Sequence, residues 1–188
     1  LARLGARVRL VTPLADDLPG REQRRELEAA GVDCRSCPPR PGGTTPRSVI
    51  LVHAATGERS ILWRRGRLEP LAPGEAREAW LDDCDLLLCD SHEPVAALVL
   101  ARAARRRGLP VVLDGGTARA GLAELVPHCS DVIASASVAP ALTSEPTPAR
   151  ALPALAVRGP ARVAQTCGPA GCLALADGAL VHVPAFAV

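Results

Sequence analysis

The residues best suited to chemistry are Thr166-Cys-Gly168-Pro-Ala-Gly171, at the end of a short strand-like run, Ala161 to Gln165. A hydroxyl at a strand end beside two glycines can bring backbone N–H groups close to a phosphate. Glycine serves there because a Cβ would block the approach and because such turns often need positive φ. Taken alone, G-x-x-G after a strand is more often a plain tight turn.

Other strand ends carry similar residues. Asp90 follows Asp85 to Cys89, Asp114 follows Pro110 to Leu113, and Ser135 follows Asp131 to Ala134; Gly115 and Gly116 come directly after Asp114. Each has a bland reading: Asp114-Gly-Gly as a turn, Ser135 as a helix N-cap. In an α/β sheet, however, ligands bind outside the carboxyl ends of the strands. Polar residues with glycines at consecutive strand ends suit a phosphate-rich ligand. There is no G-x-G-x-x-G after a first strand and no G-x-x-x-x-G-K-[ST], so the Rossmann and Walker fingerprints are missing. Ser91-His92-Glu93 are adjacent and do not converge as a triad does. His53, His128 and His182 are isolated and read as structural or exposed.

The elements that must position these residues follow from the pattern. A helix tail closes at Gly5, Val8 to Val11 is a strand, and a polar helix runs from Arg21 to Ala30. Pro38 to Gly43 is a hinge. Thr44 to His53 and Arg59 to Trp63 form a hairpin, read equally well as a flap over a site or as an edge of the main sheet. From Leu71 helices and short apolar strands alternate, with helices at 75–81, 95–107, 118–126, 137–142 and 148–157. Asp177-Gly178 turns a closing hairpin, Cys172 to Ala176 with Leu180 to Val183. Uniformly apolar strands alternating with helices predict an α/β fold with a mostly parallel sheet covered on both faces.

Composition narrows the function classes. The chain has 188 residues, 48% hydrophobic and 22% charged, with a net charge of +2. That suits a globular core. Basic residues are not gathered with aromatics on one face, so nucleic acid is a poor partner. The run Arg105-Arg106-Arg107 suits a helix C-terminus. No apolar run is long enough to span a membrane, no signal peptide is seen, and a cytoplasmic location is the default expectation. The 7 cysteines are expected to be free thiols, and a lone Cys34-x-x-Cys37 makes a zinc site a poor reading. All the basic residues are Arg, an imprint of a GC-rich genome. Without an initiator Met, Leu1 is not expected to be a natural start.

In order along the chain, the motifs resemble the PfkB family of carbohydrate kinases, which includes ribokinase and ketohexokinase. Leu1 to Asp17 resembles the segment after the family's Gly-Gly-Asn substrate motif. Gly31-Val-Asp33 resembles the start of its lid, and Thr45-Pro-Arg-Ser48 with Gly57-Glu-Arg59 resembles the paired lid strands. Asp131 to Ala139 is similar to the ketohexokinase variant, with Ser135 where ribokinases more often carry Asn. Thr166-Cys-Gly168-Pro-Ala-Gly171 resembles the T-x-G-x-x-G nucleotide loop, and Gly178 to Phe186 the hairpin and V-P-A-F run.

The resemblance implies a ribokinase-like fold, with a β-lid over 38–66 and a nucleotide-side core over 71–188. It implies ATP with Mg2+ as donor and a sugar hydroxyl as acceptor. Thr166, Gly168 and Gly171 would approach the nucleotide, Asp114 and Ser135 would face the phosphates or magnesium, and Arg59 would reach the phosphates from the lid. Thr45 and Ser48 would lie near the acceptor. No residue is singled out as a metal ligand; Val138 stands where many relatives carry a metal-associated Glu. The family's G-A-G-D motif, with its catalytic Asp, is expected beyond Val188. The chain therefore reads as an internal fragment, expected to show no turnover by itself. The alternative is a non-catalytic nucleotide- or sugar-binding module. Lid strands in some relatives pair across a dimer, which makes the Thr44 to Trp63 hairpin a candidate homodimer contact.

Overall fold

The computed structural model describes residues 1–186, which form two compact units divided between Leu71 and Ala72. In the first unit a 3-10 turn, Ala2–Leu4, closes on Gly5 in the left-handed region. Strands β1 (Val8–Arg9) and β2 (Leu14–Ala15) precede helix α1 (Leu18–Ala29), and β3 (Val32–Asp33) and β4 (Pro39–Arg40) follow it. β1 pairs with β3 and β2 with β4, both parallel, so α1 is a crossover. Leu14, Cys34 and Cys37 form its buried cluster, with Leu10, Leu27 and Val32 against it. Arg24 donates to the Cys34 and Cys37 carbonyls at 2.9 and 2.6 Å, fixing the turn before β4.

Helix α1 begins at Leu18, three residues before the Arg21 start expected for the polar helix. Asp17 is its N-cap, accepting the Gly20 N–H at 3.0 Å, and Pro19 sits in the first turn. An N-cap carboxylate and an early proline both suit a helix start.

β5 (Arg47–Val52) and β6 (Arg59–Arg64) form an antiparallel hairpin that is a two-stranded sheet of its own. It is not an edge of the main sheet, which settles one of the two sequence readings. Its apolar residues are exposed on both faces, Ile50 at 56% on one and Val49 at 58% on the other.

The second unit is built on a six-stranded sheet. Two 3-10 turns, Pro73–Glu75 and Glu78–Leu81, stand where a helix is predicted. There follow β7 (Leu87–Cys89), α2 (Pro94–Arg106), β8 (Val111–Gly115), α3 (Leu122–Leu125), β9 (Asp131–Ser135), α4 (Val138–Thr143), α5 (Pro148–Ala156), β10 (Arg162–Thr166), β11 (Cys172–Ala176) and β12 (Ala179–Val183). The strand order is β12-β11-β10-β9-β8-β7. β7 to β10 are parallel, while β11 and β12 run antiparallel as the predicted closing hairpin.

The order decides the cover. β7 to β10 advance one place at a time in one direction. Crossovers of a single hand then carry their helices to the same side. Val111, Leu113, Val132, Val163 and Gln165 are buried on that side, while Leu88, Asp114, Ile133 and Thr166 alternate onto an exposed one. The α/β fold and its mostly parallel sheet match the sequence expectation. Among the described residues, however, burial marks one covered face and not two.

Candidate functional site

Register sets which strand ends meet. β8 and β9 align Asp114 with Ile133 and Gly115 with Ala134; β9 and β10 align Ser135 with Thr166. Gly116 is therefore level with Ser135 and Thr166. Alternation puts the Asp114, Ser135 and Thr166 side chains on the exposed face, with Asp114 one row lower. With strands about 4.8 Å apart, the three groups share a rim roughly 10 Å across. Asp90 is used differently: its carboxylate accepts the His92 N–H at 2.8 Å, closing the turn into α2.

The rim is organised by its own hydrogen bonds. Ser135 Oγ donates to the Gly116 carbonyl at 3.0 Å and meets Ser137 Oγ at 3.2 Å. Ser135 is thus a cross-loop tie, and the N-cap of α4 is Ser137. Val138, the first residue of α4, is fully buried, and its Cγ1 would lie 3.3 Å from a Cβ on Gly115. It packs the base of the loop and has no atom to offer a cation. Among the described residues no cluster of three or more His, Cys, Asp or Glu could hold a metal ion.

The two glycines after Thr166 do different work. Gly168 has φ +56° with nothing within 4 Å of a would-be Cβ, and its N–H heads a 3-10 turn, where no partner exists inside the turn. Gly116 is equally open. Both leave room for a ligand against the backbone. Gly171 has φ +85°, and a Cβ there would meet Val183 O at 2.1 Å and Ala185 N at 2.8 Å. Its N–H already donates to Gly168 O at 2.9 Å. Gly171 is required by the chain's own packing, and it shapes the turn that displays Gly168.

The other expected site residues lie in the first unit. Thr45 Oγ1 donates to Asp17 Oδ1 at 2.5 Å and its N–H donates to Asp17 Oδ2 at 3.0 Å. These bonds, led by the Thr45 hydroxyl, hold the Asp17 carboxyl below the usual carboxylate range. Asp16 Oδ1 accepts the Gly42 N–H at 3.1 Å. The pair Asp16-Asp17 therefore anchors the stretch that leads into β5. Sequence reasoning missed this pair, although Asp-Leu-Pro before a polar helix carries the signal of an N-cap. Ser48 faces Trp63 near the base of the hairpin, whereas Arg59 faces Val52 next to its tip. Four residues of extended chain, about 13 Å, separate the two levels, so Arg59 and Ser48 do not meet.

A family model described as pfkB family carbohydrate kinase matches residues 1–188. An ATP-dependent ribose-1-phosphate kinase of Halopiger xanaduensis is 33% identical over 116 residues, which is 62% of this chain and 39% of that protein. Two crystal structures share the fold. A provisionally assigned ribokinase of Agrobacterium tumefaciens has a TM-score of 0.82 at 29% identity, covering 100% of this chain and 63% of that one. A provisionally assigned ribokinase II of E. coli, in complex with ATP and Mg2+, has a TM-score of 0.84 at 19% identity, covering 100% of this chain and 65% of that one. The chain thus spans well under two thirds of the curated relative. With the family model matched from the first residue to the last, the chain belongs to the pfkB family of carbohydrate kinases.

Proposed function

We propose that the protein transfers a phosphoryl group from ATP to a sugar hydroxyl. The observation that carries this reading is the rim on the exposed sheet face, where Asp114, Ser135 and Thr166 stand beside two glycines that leave the backbone open. Phosphoryl transfer is mostly positioning and charge stabilisation, and a rim of hydroxyls, amides and one carboxylate suits a triphosphate.

In this reading Thr166 donates its hydroxyl to a phosphate oxygen. Gly168 offers its N–H to the same group, and Gly171 keeps that turn in place. Mg2+ bound with the nucleotide would neutralise charge on the transferring phosphoryl group. Asp114 is the carboxylate on the rim that fits it, with Ser135 steadied by Gly116 next to it. Thr45 and Ser48 belong to the acceptor side, with Thr45 held by Asp17. Arg59 would reach phosphate from the hairpin tip. The Halopiger relative is named for a phosphorylated pentose, so ribose and ribose 1-phosphate head the acceptor panel.

Two accompanying proposals concern setting and assembly. The cysteines are all free, which supports a reducing, cytoplasmic environment. No helix among the described residues is long and apolar enough to cross a membrane. A second copy of the chain, meeting β5–β6, is our candidate partner for the hairpin's exposed apolar faces. Sedimentation of an Ile50→Asp variant tests it: a dimer that dissociates supports the contact, and an unchanged state contradicts it.

The kinase reading is tested by ADP release from the complete natural protein given ATP, Mg2+ and the sugar panel. ATP-dependent phosphorylation of at least one sugar is expected. Thr166→Val should raise KM for ATP about tenfold, the value of one charge-assisted hydrogen bond. ATP binding with no turnover on any sugar would overturn the assignment.

A further inference from the structure

The base of the hairpin gathers arginines without counter-ions. Arg64 ends β6, and Arg65, Gly66 and Arg67 follow; together with Thr44 they line an open cavity of about 300 Å³. Arg47 lies opposite Arg64 in register. The floor is fixed by backbone. Thr44 and Arg67 form an antiparallel bridge, with Arg67 N–H donating to Thr44 O at 3.0 Å and to Thr44 Oγ1 at 2.8 Å. A Cβ on Gly66 would meet Thr44 O at 2.1 Å, so glycine is what allows the two segments to close.

Several arginines of the chain find acids: Arg9 and Arg35 pair with Asp33, Arg106 with Glu78, Arg107 with Asp82, Arg150 with Glu145 and Arg162 with Asp131. Arg64, Arg65 and Arg67 make no ion pair among the described residues. The Asp17 carboxylate is already taken by Thr45 and Gly20, and Arg47 adds only its field to it. Like charges held around a cavity by a fixed backbone repel one another, and a compact dianion relieves this repulsion. Guanidinium forks match a phosphate monoester bidentately.

We propose that the cavity of Thr44, Arg64, Arg65 and Arg67 binds the phosphate of an already phosphorylated sugar, so that the acceptor is a sugar phosphate and not a free sugar. This rests on the kinase reading above and names its substrate class. The cavity adjoins Thr45 in sequence, and Ser48 through its partner Trp63, the two residues placed on the acceptor side.

The test uses the complete natural protein with D-ribose, D-ribose 1-phosphate, inorganic phosphate and ATP. Ribose 1-phosphate should be preferred over ribose. Arg64→Gln and Arg65→Gln should each raise its KM about tenfold to a hundredfold. KM for ATP should move less than twofold, and Arg→Lys should restore part of the loss. These side chains are exposed, so the variants keep the core, and a thermal melt checks it. Equal use of ribose and ribose 1-phosphate, with both variants unchanged, overturns the inference and leaves the kinase reading standing. A rise in KM for ATP in the variants also overturns it, by giving the arginines to the donor. If no sugar is phosphorylated, the kinase reading fails by itself. Titration with inorganic phosphate, followed by 31P NMR, then decides: binding lost in the triple Arg64, Arg65, Arg67→Gln variant upholds the anion site, and no binding sinks it.

Discussion

A methyl group on Gly171 would sit 2.1 Å from the Val183 carbonyl oxygen at a φ of +85°, whereas one on Gly168 would meet nothing within 4 Å. Gly171→Ala should therefore cost about 1–3 kcal/mol or more of stability. Gly168→Ala should cost only the left-handed penalty, about 1–2 kcal/mol, and weaken ATP binding besides. Urea unfolding of both variants checks the order; equal losses would contradict it. The sequence shows T-x-G-x-x-G but not which glycine answers to packing, because the partner backbone at Val183 to Ala185 comes from another strand. Gln165 makes a second case. It is 2% exposed, its Oε1 has no hydrogen-bond partner among the described residues, and Nε2 reaches only Cys167 Sγ at 3.8 Å. Gln165→Leu should be neutral or stabilising by up to about 1 kcal/mol, since an orphaned buried polar group is costly. A loss above that size in the melt would show that the amide is satisfied.

At the scale of elements, the hairpin and the sheet should differ in local stability. β5 and β6 have only each other, with Val49 at 58% and Leu62 at 60% exposure, while β8 to β10 are paired on both sides. In hydrogen exchange, amides of 47–52 and 59–64 should open well before those of 111–115, 131–135 and 162–166. Equal protection would point to a partner covering the hairpin. Strands of the six-stranded sheet and of the hairpin were legible from apolar runs, with boundaries within a few residues, but β2 was missed and β4 lies in the stretch read as a hinge, because two-residue strands carry no periodic signal. Two helices were not legible either. The predicted helix at 75–81 is a pair of 3-10 turns, broken between Glu75 and Glu78. The predicted helix at 118–126 shrinks to Leu122–Leu125, behind Gly121 at φ +88°. Short segments like these lack enough turns for propensity to decide, and local packing overrides it.

For the whole molecule, ionisable groups bound the pH range of stability. Asp33 and Asp131 have their carboxyls held low, first by side-chain bonds from Arg35 and from Arg162 respectively. A depressed folded pKa contributes stability above the unfolded value near 4, and that contribution disappears as pH falls through the folded value. Burial pushes Cys37 up to about 11, and Cys89 and Cys129 up to about 12. A raised thiol pKa favours folding below the unfolded value near 8.5, and the contribution is lost as pH rises towards 11 to 12. Melting temperature should hold between about pH 5 and 8 and fall on both sides. Cys89→Ala with Cys129→Ala should flatten the alkaline fall, and an unchanged slope would assign it to other groups.

The linear order of residues determined the alternation of helix and strand, the polar strand ends at Asp114, Ser135 and Thr166, and the family. These depend on local pattern and on neighbours in the chain, which a sequence states directly. Tertiary structure alone decided that the three residues share one face, that β7 to β10 follow one another in a single direction, and that Asp17 holds Thr45. It also decided that the arginines at 64, 65 and 67 surround a cavity. Each of those facts depends on register or on contact between distant segments, and a one-residue slip in a strand would reverse every side chain on it.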